Sequence, residues 1–98
     1  MIIVLIHHEV ADYLAWKTIF DSNLDWRHKH GERSCRIFRS AGNVNDVTLF
    51  FEWENLESAR AFIASEELKA KMAGAGVKGQ PQIDFLTEVQ SVRRSAAD

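Results

Sequence analysis

Two short segments of this chain are apolar on both of their predicted faces. All residues of Ile2–Ile6 are aliphatic, and Val47–Trp53 contains only Thr48 and Glu52 as polar residues. Successive side chains of a strand point to opposite faces of a sheet, so strands of this composition bury both faces. We therefore expect these two segments to be the central strands of a sheet.

The first predicted helix begins after Asp12, a favourable N-cap, and ends before Gly31, which favours the position after a helix C-terminus. Apolar residues within this segment recur at helical spacing and form one stripe. The stripe consists of Tyr13, Trp16, Phe20 and Leu24. We expect this stripe to pack inward against the sheet.

The remaining patterns complete a βαββαβ order, which is typical of ferredoxin-like α+β folds with a four-stranded antiparallel sheet. The first strand is predicted over residues 2–9, the second over 34–39 and the third over 47–53, with a hairpin loop over 40–46. Asn55 is expected to cap a second helix and Ser65 a further helical turn or two. The fourth strand is expected to alternate Ile83, Phe85, Thr87 and Val89. This order predicts one domain over residues 1–92, followed by a polar tail over 93–98.

Two helices cover only one face of such a sheet. The other face would present Ile3, Leu5 and Phe50, or else the alternate set of side chains, to solvent, and either is a larger apolar patch than monomers usually expose. We therefore predict a homodimer that forms through this sheet face, with twofold symmetry.

Charge and cysteine content narrow the classes of function. The net charge is −2, with 12 basic and 14 acidic residues, and this balance gives no electrostatic reason to expect a nucleic-acid or membrane partner. Cys35 is the single cysteine, so an intrachain disulfide is excluded and a small packed side chain is the simplest interpretation.

The apolar run at Ile2–Ile6 is too short for a membrane span or a signal-peptide core. We expect a cytoplasmic protein.

Several segments resemble the dimeric α+β barrel superfamily, in particular antibiotic-biosynthesis-monooxygenase-like proteins and small cyclase-like relatives. The matching segments are residues 12–17 with Phe20 and Asp21, residues 51–54, residues 65–69, and residues 75–77 with Gly79, Pro81 and Phe85. The resemblance implies a dimeric α+β barrel with a pocket between helices and sheet. It disfavours haem degradation, because Phe62 stands where many relatives have a histidine and the first strand offers His7 and His8 instead of an asparagine.

An aromatic set forms the candidate ligand pocket. The set comprises Trp16, Phe20, Trp53, Phe62 and Phe85, and the candidate ligand-binding residues are the first four together with Met72. Such rings could line a cavity for a small flat compound. The alternative is that they are ordinary core packing, which is common at these spacings.

Three polar residues are the candidate catalytic groups. His7 and His8 point to opposite sheet faces, so at most one of them can act as a general base in a helix-side pocket. Arg27 lies on the inward stripe and could bind a ligand anion, and Arg36 on the second strand is a weaker candidate for the same role. Alternatively, the histidine is a hydrogen-bonded strand-end residue, and Arg27 reaches solvent or pairs with a glutamate.

We expect neither a metal nor a cofactor. His28 and His30 lie two residues apart and cannot both face one ion from a helix. The glycines of residues 74–79 follow a predicted helix instead of opening one, as a dinucleotide site would require. Two functions remain open: cofactor-free oxygenation or rearrangement of a small flat compound, and a non-catalytic binding or stress-response module.

Overall fold

Residues 2–94, described by a computed structural model of the protein, form four strands and four helices. The strands are β1 (Ile2–Val10), β2 (Glu32–Ser40), β3 (Asn43–Trp53) and β4 (Val77–Leu86). The helices are α1 (Tyr13–Ser22), α2 (Leu24–His30), α3 (Leu56–Ala64) and α4 (Glu66–Gly74). The predicted α+β class and βαββαβ order are confirmed, and the second helical segment divides at Ser65 as predicted, whereas the first divides at Asn23.

The sheet is antiparallel and has the strand order β2-β3-β1-β4. Residues of β1 pair with both β3 and β4, and those of β3 with both β1 and β2. The two segments that are apolar on both faces are therefore the central strands, as predicted. The charged strands β2 and β4 lie at the edges, where unpaired backbone groups meet water.

The helices cover one face of the sheet, which we call the helix face. Its buried residues on β1 are Val4, Ile6, His8 and Val10, and those on β3 are Val47, Leu49, Phe51 and Trp53. Three pairs of these face each other directly across the two strands, as Val4–Phe51, Ile6–Leu49 and His8–Val47. We call the other side the open face. It carries Ile3 and Leu5 of β1 beside Phe50 of β3, as the strand alternation predicts.

The prediction of one continuous first helix is wrong, because the backbone turns at Asn23. This residue ends α1 and begins α2 with φ −100° and ψ 12°. Its Nδ2 donates to the carbonyl of Ile19 at 3.0 Å, a side-chain contact that competes with continued helical bonding. Leu24, which was expected on the inward stripe, is 52% exposed after this break, whereas Arg27, expected on the same stripe, is buried.

Several strand boundaries also differ from prediction. The hairpin after β2 is a short turn at Ala41 and Gly42 instead of a loop over 40–46, because the polar residues from Asn43 onward pair with β2 and β1. The fourth strand begins at Val77 and ends at Leu86. Leu86 already pairs with Ile3 near the start of β1, so Thr87 and Val89 lie beyond the strand.

The polar segment after β4 is exposed as far as it is described. Residues 87–94 have no regular secondary structure. The predicted tail covers residues 93–98, of which 95–98 lie outside the described residues, as does Met1. None of the helices described between residues 2 and 94 has the length and apolar character needed to cross a membrane.

Candidate functional site

A cavity lies between the helix face of the sheet and the inner sides of α1, α2 and α4. It has a volume of about 60 Å³ and is partly open to solvent. The lining is mainly apolar and aromatic, with Ile6, Trp16, Ile19, Phe20, Trp26, Leu49, Phe51, Phe62, Leu68, Met72 and Ala75. The polar lining residues are His8, Asn23, Arg27 and Lys71. The lining contains no carboxylate, which favours a neutral or anionic ligand over a cationic one.

His8 is the histidine that faces this cavity. It is 5% exposed, and its ring meets Trp16 edge-on with 5.7 Å between centroids. Its buried Nδ1 has no hydrogen-bond partner among residues 2–94. Burial disfavours the charged imidazolium and lowers the pKa of His8 from its ordinary value of 6.5. The imidazole is therefore neutral at neutral pH, with an unsatisfied polar atom beside an apolar cavity.

His7 and Arg36 lie outside the cavity, on the open face. His7 Nε2 is 2.5 Å from Asp46 Oδ1, in an exposed contact. The Arg36 guanidinium lies 5.0 Å from the centroid of the Phe38 ring. The structure thus separates the two adjacent histidines by the thickness of the sheet.

Aromatic rings form a continuous wall on one side of the cavity. Trp16 stacks on Phe20 with 4.8 Å between centroids, and Phe20 lies 6.2 Å from Phe51. Trp53 stands behind this wall without lining the cavity. It packs 4.6 Å from Phe62 and its Nε1 donates to the carbonyl of His30 at 3.2 Å. Trp16, Phe20, Phe62 and Met72 are therefore together at the cavity, and Trp53 supports it.

Arg27 lines the cavity but its charge has a partner in the protein. Its Nε donates to Glu32 Oε2 at 2.7 Å, and both side chains are buried. Its Nη1 donates to the carbonyl of Phe20 at 2.5 Å, and the guanidinium lies 3.7 Å from the Phe20 ring centroid. The pairing with a glutamate, one of the two alternatives for this residue, is what the structure contains.

Sequence reasoning missed Trp26 and Lys71. Trp26 contacts Phe62 with 5.0 Å between centroids, and its Nε1 donates to Glu67 Oε1. Lys71 Nζ lies 4.7 Å from the Trp26 ring centroid and donates to Asn23 Oδ1 at 3.0 Å. Trp26 is off the stripe of a continuous first helix, so only the break at Asn23 reveals it, and Lys71 lies on α4, where only Leu68 and Met72 indicated an inward face.

Neither the cysteine nor the acidic and histidine side chains form a further candidate site among the described residues. Burial raises the pKa of the Cys35 thiol to about 12, so this cysteine is protonated and suits the packing role expected of it. Among the described residues, no three His, Cys, Asp or Glu side chains converge as a metal site would require.

Solved structures with this fold include oxygenases. The cofactor-independent oxygenase SnoaB from Streptomyces nogalater superposes with a TM-score of 0.75 at 11% identity, over 95% of this chain and 97% of that one. A monooxygenase from the ActVA-Orf6 gene of Streptomyces coelicolor, solved with the ligand nanaomycin D, gives 0.67 at 16% identity over 96% and 92%.

An antibiotic biosynthesis monooxygenase gives a TM-score of 0.69 at 9% identity, over 92% of this chain and all of that one (100%). No protein-family model matches the chain, and no curated protein matches it significantly. At such low identity the agreement concerns the fold alone. The chain therefore has the ferredoxin-like α+β fold of the antibiotic biosynthesis monooxygenases.

Proposed function

We propose that this protein oxygenates or rearranges a small flat aromatic or polyketide-like compound without a bound cofactor, with His8 as the general base. The observation that carries the proposal is the buried, unpartnered His8 imidazole beside an aromatic cavity. A buried polar atom without a partner costs about 1–3 kcal/mol. A ligand hydroxyl or an acidic C–H at this position would satisfy the atom and use it.

The chemistry requires a substrate that supplies its own electrons. His8 would take a proton from an activated CH₂ group, and the resulting carbanion would reduce O₂ and bond to it. Loss of water from that peroxide turns the CH₂ into a carbonyl, so that one O₂ yields one ketone and one H₂O. Apolar walls favour this step because they exclude water from the carbanion.

Arg27 is the anion partner that the sequence suggests, and its pairing with Glu32 changes its role in the proposal. A guanidinium already neutralised by a carboxylate attracts an anion less strongly than a free one. We assign it to holding α2 against β2 and Phe20 in place, so that the cavity wall keeps its shape.

We also propose that the protein works as a homodimer, through the open face of the sheet. Ile3 is 8% exposed there, and Leu5 and Phe50 are half-buried, while Phe38 and Leu86 are 44% and 41% exposed. Covering these apolar side chains with a second copy would remove them from water, together with Arg36 and Glu52 on the same face.

A non-catalytic ligand-binding or stress-response module is the second candidate, and the size of the cavity favours it. Small-molecule pockets usually measure about 300–1,000 Å³, whereas this cavity measures about 60 Å³. A three-ring compound would fit only if the helices bordering the mouth moved outward. In a non-catalytic module the pocket would be smaller and filled by the protein's own side chains, which agrees with this volume.

Oxygen consumption with 1,8-dihydroxyanthrone as substrate tests the proposal. We expect the protein to accelerate conversion of its CH₂ group to the anthraquinone carbonyl, and His8→Ala to lower kcat/KM by about 10²-fold or more. Because the pKa of His8 is lowered, kcat/KM should fall only at a pH below 6.5.

His7→Ala is the matched control, since it removes the adjacent imidazole from the opposite face and should retain the rate. Equal rates for wild type and His8→Ala would refute the assignment of the base. Binding of nanaomycin D, seen as thermal stabilisation, with no oxygen uptake on either compound would favour the non-catalytic module.

A further inference from the structure

Lys71 is the charged residue of the cavity for which the structure provides no counter-charge. No carboxylate among residues 2–94 lies within 4.0 Å of its Nζ. Lys17, Lys69 and Lys78 each pair with an acidic side chain, whereas Lys29, which does not line the cavity, is like Lys71 in having no such pair among the described residues. Lys71 is half-buried, so its charge is screened less by water than that of a surface lysine.

The expected partner of Lys71 is engaged elsewhere. Glu67 precedes it by four residues on α4, the spacing at which glutamate and lysine normally pair on a helix. The Glu67 carboxylate instead accepts a hydrogen bond from the Trp26 indole and lies 4.0 Å from His30 Nε2. The α2–α4 contact thus draws the anion away and leaves the cation at the cavity.

The geometry around Lys71 fixes where its free donors can act. Asn23 Oδ1 accepts one of its three N–H bonds at 3.0 Å, and the ammonium lies 4.7 Å from the Trp26 ring centroid. Both neighbours also line the cavity. Two N–H donors therefore remain for a ligand oxygen, and Trp26 offers a flat surface for the ring that carries it.

We propose that the cavity selects flat compounds that carry an ionised oxygen, an enolate or phenolate conjugated with the ring, and that Lys71 binds this oxygen. This inference rests on the proposed function, whose carbanion is the same kind of anion. With Arg27 neutralised by Glu32 and His8 neutral, the lining has a net charge of about +1, which one ligand anion balances.

A matched pair of probes tests the selection directly. 2-Hydroxy-1,4-naphthoquinone is an ionised enol at neutral pH, and 2-methoxy-1,4-naphthoquinone is its neutral counterpart of nearly the same shape. Binding is followed by quenching of tryptophan fluorescence, since Trp16 and Trp26 line the cavity. We expect the wild type to bind the ionised probe about tenfold or more tightly than the neutral one.

Lys71→Met keeps the length of the side chain and removes its charge. It should abolish the preference by weakening the ionised probe alone, and Lys71→Arg should restore most of it. Lys69→Met, on the same helix but solvent-exposed, makes the same change in net charge and should leave the preference intact. Circular dichroism of each variant confirms that it is folded.

The outcomes separate the two proposals. A preference that survives in Lys71→Met, or binding of neither probe, would overturn the inference. If Lys71 sets the preference but no anthrone consumes oxygen, the anion site stands and the oxygenase proposal fails. If His8-dependent oxygen uptake occurs while Lys71→Met still discriminates, the reverse holds.

Discussion

At the residue scale, charge and burial oppose each other at the Arg27–Glu32 pair. The two side chains are 5% and 2% exposed, so each has lost most of its hydration. Their mutual attraction and the hydrogen bond to the Phe20 carbonyl offset that loss. The pair joins α2 to β2. Because its role is structural, we expect its loss to appear as a lower free energy of unfolding, which can be measured independently of catalysis by His8.

Removing one member of this pair should destabilise the protein strongly. We expect Glu32→Gln to lower the free energy of unfolding by about 3–5 kcal/mol in urea denaturation, because the Arg27 charge would remain buried without a partner. Arg33→Met breaks the exposed pair with Glu54 and should cost less than about 1 kcal/mol. Equal effects would show that the buried geometry is not what stabilises the pair.

At the element scale, sequence patterns predict the strands and the helix caps but not every phase. The two segments that are apolar on both faces identify β1 and β3, because a strand with both faces buried does not alternate between apolar and polar residues. Asn55 and Ser65 cap α3 and α4 as expected, each accepting a backbone N–H. The break at Asn23 escapes prediction because Tyr13 to Arg27 can be drawn as one stripe. Trp26 was therefore missed. Lys71 was missed because a charged residue on α4 gives no sign of facing inward, and the glycine-containing start of β4 resembles a loop.

Helix α4 is held to the sheet by few buried side chains. Leu68 is its one buried residue in the structure, and its polar contacts to α2 run through Glu67 and Lys71. Few buried apolar contacts mean a low free energy of local opening. An outward movement of α4 would also widen the cavity, as a bulky ligand requires.

We therefore expect amide hydrogens of α4 to exchange faster than those of β1 and β3. 2-Hydroxy-1,4-naphthoquinone should slow the exchange of α4 specifically, because it closes the helix over the occupied cavity. Mass-spectrometric detection on peptides from each element measures both effects. Protection of α4 equal to that of β1, with or without the probe, would contradict a mobile α4.

At the scale of the whole molecule, the sheet separates the cavity from the surface proposed for dimerisation. The helix face carries the cavity, and the open face carries the apolar patch assigned to the second copy. The alternation of side chains along β1 and β3 was enough to predict one face covered by helices and one face left open. What fills the cavity did not follow, because the ligand is selected by a few polar atoms whose positions depend on tertiary contacts.

Phe50→Asp places a charge in the middle of the open face. We expect sedimentation to show a dimer for the wild type and a monomer for this variant, because an unpaired carboxylate resists burial between two sheets. Leu14→Asp is the control, since Leu14 is 75% exposed on α1, away from that face. A wild-type monomer would disprove the dimer.

The alternation of β1 has a consequence for how such a protein changes over time. His7 and His8 are neighbours in the chain, yet a substitution at His7 changes the face proposed for dimerisation and a substitution at His8 changes the lining of the cavity. Selection for a new ligand therefore need not disturb the partner surface. A lineage built on this sheet can keep its assembly while its chemistry diverges.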